Sequence, residues 1–84
     1  MYRVVYRKDA AKALAKLPDP IRARMVWVFE RIAAGQALEL DIKKLAGRDG
    51  LRLRIGGYRA IYRQLDDVMV IDVVKVGSRG DVYK

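Results

Sequence analysis

The sequence predicts an α+β fold in which two N-terminal helices pack on one face of a small, largely antiparallel sheet, in the order β-α-α-β-β-β with room for a last short strand. Three observations lead there. Two stretches of helical apolar spacing meet at Pro18-Asp19-Pro20, an alternating segment folds back on itself at Gly56-Gly57, and the run from Val68 to Val76 is apolar almost throughout. Helices grouped before a cluster of strands give a two-layer arrangement rather than an alternating parallel one. With 84 residues the chain is read as a single domain over 1–84, able to bury about 60–65% of the surface of its unfolded form.

The first strand is Tyr2 to Arg7, β-prone, with Val4 and Tyr6 alternating with Arg3 and Arg7, at or near a sheet edge. Asp9 then opens a helix whose Ala10, Ala13, Leu14 and Leu17 fall at i, i+3, i+4 and i+7, opposite Lys8, Lys12 and Lys16. Pro18 stops it. Asp19 is expected at the N-cap of a second helix and Pro20 at its first position, where no amide donor is left unpaired. That helix is expected to reach Ala34, with Gly35 as its stop. Ile21, Met25, Val28 and Ile32 form its sheet-facing stripe, with Phe29 on the shoulder. Trp27 lies off this stripe, near Ala23 and Arg31, so it is either an amphipathic ring on the surface or under the first helix, or a docking point for a partner.

Gln36 to Ile42 is a connector whose structure the residues do not set. Leu51-Arg52-Leu53-Arg54-Ile55 has the period of two of a half-buried strand, and Tyr58 to Arg63 resumes it after a two-glycine turn. A primed turn at Gly56-Gly57 sets Ile55 opposite Tyr58, Arg54 opposite Arg59, Leu53 opposite Ala60 and Arg52 opposite Ile61. One surface then carries Leu51, Leu53, Ile55, Tyr58, Ala60 and Tyr62, and the other Arg52, Arg54, Arg59, Ile61 and Arg63. Two arginines directly opposite sit about 5 Å apart at Cβ and repel unless something anionic lies between them. Asp66-Asp67 marks the next turn, and Val68 to Val76 reads as a central strand buried on both faces. Its one acid, Asp72, is expected to meet an arginine of the basic face or to lie on the strand's solvated side. Gly77 to Gly80 breaks the strand, and Asp81-Val82-Tyr83 leaves room for a short last piece.

The charge is +8, from 18 Lys and Arg against 10 Asp and Glu, and residues 43 to 63 supply +6 of it. Lys43, Lys44, Arg48, Arg52, Arg54, Arg59 and Arg63 stand there against Asp49 alone, so the excess is a patch that suits an anionic partner. The chain holds no histidine and no cysteine, and Ser78 is its one serine, so serine-hydrolase and thiol chemistry are excluded. The acids show no metal-ligand spacing, and no metal and no cofactor is expected. Arginine with tyrosine remains, a pairing that grips phosphate oxygens and stacks on bases. No apolar run has membrane-spanning length and the N-terminus lacks a signal-peptide core, so a soluble cytoplasmic protein with no membrane partner is expected.

The segments KKLAGRDGLRLRIGGYRAIYR and VVKVGSRGDVY closely resemble the C-terminal two-thirds of RelE-type toxins in the RelE/ParE superfamily of toxin–antitoxin pairs, and the two preceding helices are similar as well. The resemblance implies a compact sheet with two N-terminal helices, neutralised by a cognate acidic, amphipathic antitoxin that winds round it. It also implies metal-independent cleavage of messenger RNA in the ribosomal A site, the ribose 2′-hydroxyl attacking the adjacent phosphate and translation being inhibited. Carried over, Arg52 and Arg54 stand where the family usually has lysines, one of them proposed as general base. Arg59 is similar to the arginine that holds the scissile phosphate, Arg79 to the one that assists the leaving 5′-oxygen, and Tyr83 to the tyrosine that stacks on the substrate base. Lys43 and Lys44 resemble positions that contact ribosomal RNA, and Arg48 extends that patch. Arginine has a pKa above about 12 and is a poor proton acceptor, so electrostatic stabilisation is expected to do most of the work. Two alternatives come from other classes: a ParE-like gyrase inhibitor that acts by protein contact, and a domain that binds RNA or the ribosome without cutting. In the partner reading, Trp27 and Ala23 are the antitoxin contacts.

Overall fold

The computed structural model describes residues 1–36 and 39–78. The elements are β1 (Arg3–Tyr6), α1 (Lys8–Ala15), α2 (Asp19–Ala33), β2 (Asp41–Lys44), β3 (Leu51–Ile55), β4 (Tyr58–Leu65) and β5 (Val70–Ser78). They form one five-stranded sheet in the order β1-β5-β4-β3-β2, in which β1 runs parallel to β5 and every other neighbouring pair is antiparallel. The helices cover one face. Ala10, Leu14 and Leu17 of the α1 region and Met25, Val28, Phe29 and Ala33 of α2 are buried against Leu53, Ala60, Tyr62, Ile71, Val73 and Val76. Phe29, fully buried, sets its ring edge against Tyr6 at 6.1 Å and Tyr62 at 5.4 Å, a geometry the quadrupole of each ring favours.

The hairpin has the expected register, Ile55 opposite Tyr58, Arg54 opposite Arg59, Leu53 opposite Ala60 and Arg52 opposite Ile61. Gly56 has φ +58 while Gly57 does not enter the positive region, the signature of a type II′ turn, whose twist matches that of the strands it joins. Gly35, at φ +72, ends α2 as expected.

Three sequence expectations are corrected, and one stretch the sequence left open takes a definite form. Residues 41–44 of the connector region extend into the edge strand β2, which borrows its ladder from β3. In α2, Asp19 is the first helical residue rather than the cap: Pro18 holds the N-cap position and no side chain bonds the first-turn amides. The Asp19 carboxylate is taken instead by Arg22, whose Nη1 also donates to the Ala15 carbonyl at 3.2 Å near the end of α1. The buried stripe of α2 is Met25, Val28, Phe29 and Ala33, with Ile21 and Ile32 only half-buried at its margin. In β5, Val68 and Met69 lie in the preceding turn, 60% and 47% exposed. Asp67 Oδ1 accepts the Val68 amide at 3.1 Å and Met69 takes φ +53, so the chain turns there before the ladder begins at Val70.

The β4–β5 ladder shifts register between Ile61 and Tyr62, which pair with Lys75 and Val73, so Val74 is the extra residue. Such a bulge turns the side-chain alternation by one step. Ile71, Val73 and Val76 therefore reach the helix-covered core, and Asp72 lies on the opposite face in register with Arg63. The last short strand expected at Asp81–Tyr83 lies outside the described residues.

Candidate nucleic-acid interface

The sheet face away from the helices carries the arginines. Strand alternation alone places them there, since Leu53, Ala60 and Tyr62 are buried under the helices and the residues between them must point the other way. Arg52, Arg54, Arg59 and Arg63 thus share one surface with Lys43, which pairs with Arg52, and with Lys75, which pairs with Ile61. Beside Arg59, on β5, stands Gly77. Lys44 pairs with Leu51 and so points to the other side of β2 from Lys43. The two lysines sit on opposite faces of an edge strand.

Among the described residues, each aspartate on or over this face is engaged by an arginine. Asp41 is the counterion of the hairpin: its Oδ1 lies 2.6 Å from Arg52 Nη2 and its Oδ2 3.1 Å from Arg54 Nε. Asp49 Oδ2 lies 3.4 Å from Arg63 Nε. Asp72, only 8% exposed, accepts from Arg7 Nη2 at 2.9 Å and Nε at 3.3 Å, a two-pronged pair reaching from the end of β1. The side-chain bond to Asp72 raises the already high pKa of Arg7. Asp72 does meet an arginine, but not one of the hairpin's basic residues as expected: the partner is Arg7, just past β1.

Residues 45–50 fold over one end of this face. The Leu45 amide donates to the Gly50 carbonyl at 3.1 Å. Gly50 has φ +127, and a Cβ there would stand 3.3 Å from Leu45 Cδ1 and 3.4 Å from the Tyr62 carbonyl, so the loop needs glycine both for its backbone angle and for its closeness to β4. Beneath it Ile61 is 5% exposed although it is on the arginine side. The result is a concavity of about 340 Å³ with an apolar floor of Leu45, Ile61 and Val74, rimmed by Arg7, Arg48, Arg63 and Asp49. Among the described residues no ion pair holds Arg48. The fixed guanidinium forks, arranged around an apolar floor, suit an anion that carries a flat apolar group.

Trp27 and Ala23 are on the opposite side of the molecule, on the outer surface of α2. Trp27 is 45% exposed. Its ring lies between the guanidinium carbons of Arg24 at 5.3 Å and Arg31 at 5.6 Å. It borders a groove of about 480 Å³ with Leu14, Arg22, Ala23, Val26, Glu30 and Arg31. The sequence left open whether this ring was under α1 or on the surface; it is on the surface.

Arg79 and Tyr83 lie outside the described residues. Of the other sequence candidates, Arg52, Arg54, Arg59 and Lys43 are brought onto one surface, and Arg48 is carried over its end by the loop. Two participants were not singled out: Asp41 and Arg7. Asp41 and Arg7 act across strands far apart in sequence, so no local pattern marks them. Arg63 did fall on the arginine face by alternation, which was signal enough. Among the described residues no three His, Cys, Asp or Glu side chains are grouped so as to hold a metal ion, and no helix is long and apolar enough to cross a membrane.

Residues 2–83 match the family of the ParE toxin of the type II toxin–antitoxin system parDE. The chain is 31% identical over 87 residues to a RelE-like toxin protein of Escherichia coli, covering 98% of this chain and 90% of that one. Among solved structures it is similar to the archaeal RelE–RelB complex of Pyrococcus horikoshii OT3, with 34% identity, TM-score 0.75, and 95% and 97% of the two chains covered. It is likewise similar to the RelB–RelE complex of Methanococcus jannaschii, with 29% identity, TM-score 0.78 and 94% of each chain covered. The isolated RelE toxin of Escherichia coli aligns at 26% identity and TM-score 0.77, over 99% of this chain and 92% of that one.

Proposed function

We propose, from the premise that this chain belongs to the ParE toxin family of type II toxin–antitoxin systems within the RelE/ParE superfamily, that it is a ribosome-dependent endoribonuclease that cuts messenger RNA in the A site. The observation that carries the reading is the single surface holding Arg52, Arg54 and Arg59. In the reaction the ribose O2′ bonds to phosphorus and the bond from phosphorus to O5′ breaks. A 2′,3′-cyclic phosphate and a 5′-hydroxyl result, the proton lost at O2′ being balanced by one taken up at O5′. Arg59 neutralises the equatorial oxygens as their charge grows and Arg54 and Arg52 hold the flanking phosphate, with the roles of assisting the leaving oxygen and of stacking on a base falling to Arg79 and Tyr83 by family resemblance. Guanidinium groups move protons poorly, so alignment by the ribosome supplies what the side chains do not. Lys43, Lys44 and Arg48 contact ribosomal RNA.

The partner we infer is a cognate antitoxin with an acidic, amphipathic segment that sits on the Trp27 groove, its acids meeting Arg22, Arg24 and Arg31. The solved RelB–RelE and RelE–RelB complexes support an antitoxin partner by likeness. A second reading, inhibition of gyrase by protein contact in the cytoplasm, is favoured by the family match to ParE. Primer extension on a message in a translating extract separates the two. Codon-phased cuts that persist in chelator and fall by about a hundredfold or more in Arg59→Ala support the nuclease. Intact message with gyrase trapped on DNA overturns it for the ParE-like reading.

A further inference from the structure

We propose that Asp41 is a built-in competitor for phosphate: its carboxylate occupies the anion position of the Arg52–Arg54 pair and must be displaced before a phosphodiester can bind there. This rests on the reading that the arginine face takes RNA. A carboxylate and a phosphodiester offer the same thing to two guanidinium groups, a pair of oxygens sharing one negative charge. Asp41 gives one oxygen to each, Oδ1 to Arg52 Nη2 at 2.6 Å and Oδ2 to Arg54 Nε at 3.1 Å. It thereby bridges the very residues that the face would use on a substrate.

The geometry also leaves the carboxylate freer to move than Arg52. The Arg52 side chain is 13% exposed and is held by the sheet around it, whereas Asp41 is 37% exposed on the edge strand β2. An incoming phosphate therefore meets Arg52 held in place by the sheet, a half-exposed Arg54 and an aspartate able to swing into solvent. The exchange leaves Asp41 ionised beside the phosphate, so a phosphate seated in this fork always meets an opposing repulsion. Free RNA, which offers few other contacts, is disfavoured most. A scaffold that fixes the RNA elsewhere on the protein overcomes the repulsion, so Asp41 sets the threshold between unguided and guided binding.

The test is titration of the full chain with a fluorescent single-stranded RNA of about a dozen nucleotides and, separately, with a heparin oligosaccharide, each over a range of salt. Asp41→Asn and Asp41→Ala should tighten both probes by about three- to tenfold at low salt and steepen the salt dependence by about one counterion. Asparagine keeps an oxygen to accept from Arg52, and a native circular-dichroism melt of either variant secures the comparison. Unchanged or weaker binding of both probes would overturn the proposal and make Asp41 a brace for the arginines. Tighter heparin binding with no RNA binding by any form would keep the competition and remove the RNA reading. RNA bound by the wild type, weakened in Arg54→Ala and unaltered in both Asp41 variants, would keep the RNA reading and remove the competitor.

Discussion

Raising the pH through the tyrosine range should destabilise this domain, and a large part of the loss should trace to Tyr62. Its side chain is 2% exposed against Phe29, and burial pushes its hydroxyl up to about 12. The folded pKa thus lies above the value of about 10 in the unfolded chain. The folded state holds the proton more tightly, so the contribution is fully present below about pH 10 and is lost as the pH climbs through about 12. A tenfold difference in proton affinity between the two states is worth about 1.4 kcal/mol, so the roughly hundredfold difference at Tyr62 removes up to ~3 kcal/mol. A domain of this length has roughly 4–13 kcal/mol in all, so the loss is a large fraction. Tyr6 is pushed up to about 12 as well, by burial and then by the charge of Glu30, and adds in the same direction. The assay is urea unfolding followed by the fluorescence of Trp27, the single tryptophan, at several values between about pH 8 and about pH 11.5. Tyr62→Phe keeps the ring against Phe29 and should flatten the upper part of that curve. A stability that stays level to about pH 11.5, or falls as steeply in Tyr62→Phe, would refute the reasoning.

Phe29→Ala empties the centre of the core and removes both edge-to-face contacts, to Tyr6 and to Tyr62; it should cost about 3–5 kcal/mol, read from the urea midpoint, and Phe29→Leu distinctly less. Gly50→Ala forces a Cβ at φ +127 toward Leu45 and the Tyr62 carbonyl, so it should destabilise by about 1–3 kcal/mol and loosen the loop that carries Arg48 and Asp49, visible as faster amide exchange at Leu45.

The two glycines of the hairpin made its register legible, because a two-residue primed turn leaves only one way to pair the residues beside it. With the register went the sorting of the hairpin arginines onto one face, since strand alternation has no freedom left once one pair is fixed. The same logic failed wherever an element takes its identity from a neighbour. Asp41-Ile42-Lys43-Lys44 has one apolar residue and no turn signal of its own; it is a strand because β3 offers it a free edge. Val68 and Met69 continue the apolar run of β5 in composition, but Asp67 captures the Val68 amide and bends the chain away.

The counterion shows most plainly where local reading stops. A pair of arginines facing each other across a hairpin asks for an anion between them, and that demand was visible in the spacing of Arg54 and Arg59. The carboxylate that answers it comes from outside the hairpin, from the strand on the far side of Arg54, and reaches Arg52 and Arg54 rather than standing between Arg54 and Arg59. Arg59 lies across from Arg54 on β4, with Gly77 as its other neighbour. Among the described residues Asp41 thus sits to one side of the Arg54–Arg59 pair, and on the proposed reading a phosphate held at Arg59 does not meet Asp41 directly. That asymmetry predicts unequal roles: Arg59→Ala should act mainly on the cleavage rate, whereas Arg52→Ala should act mainly on affinity and its salt dependence, a division that single-turnover cleavage at saturating ribosome would resolve.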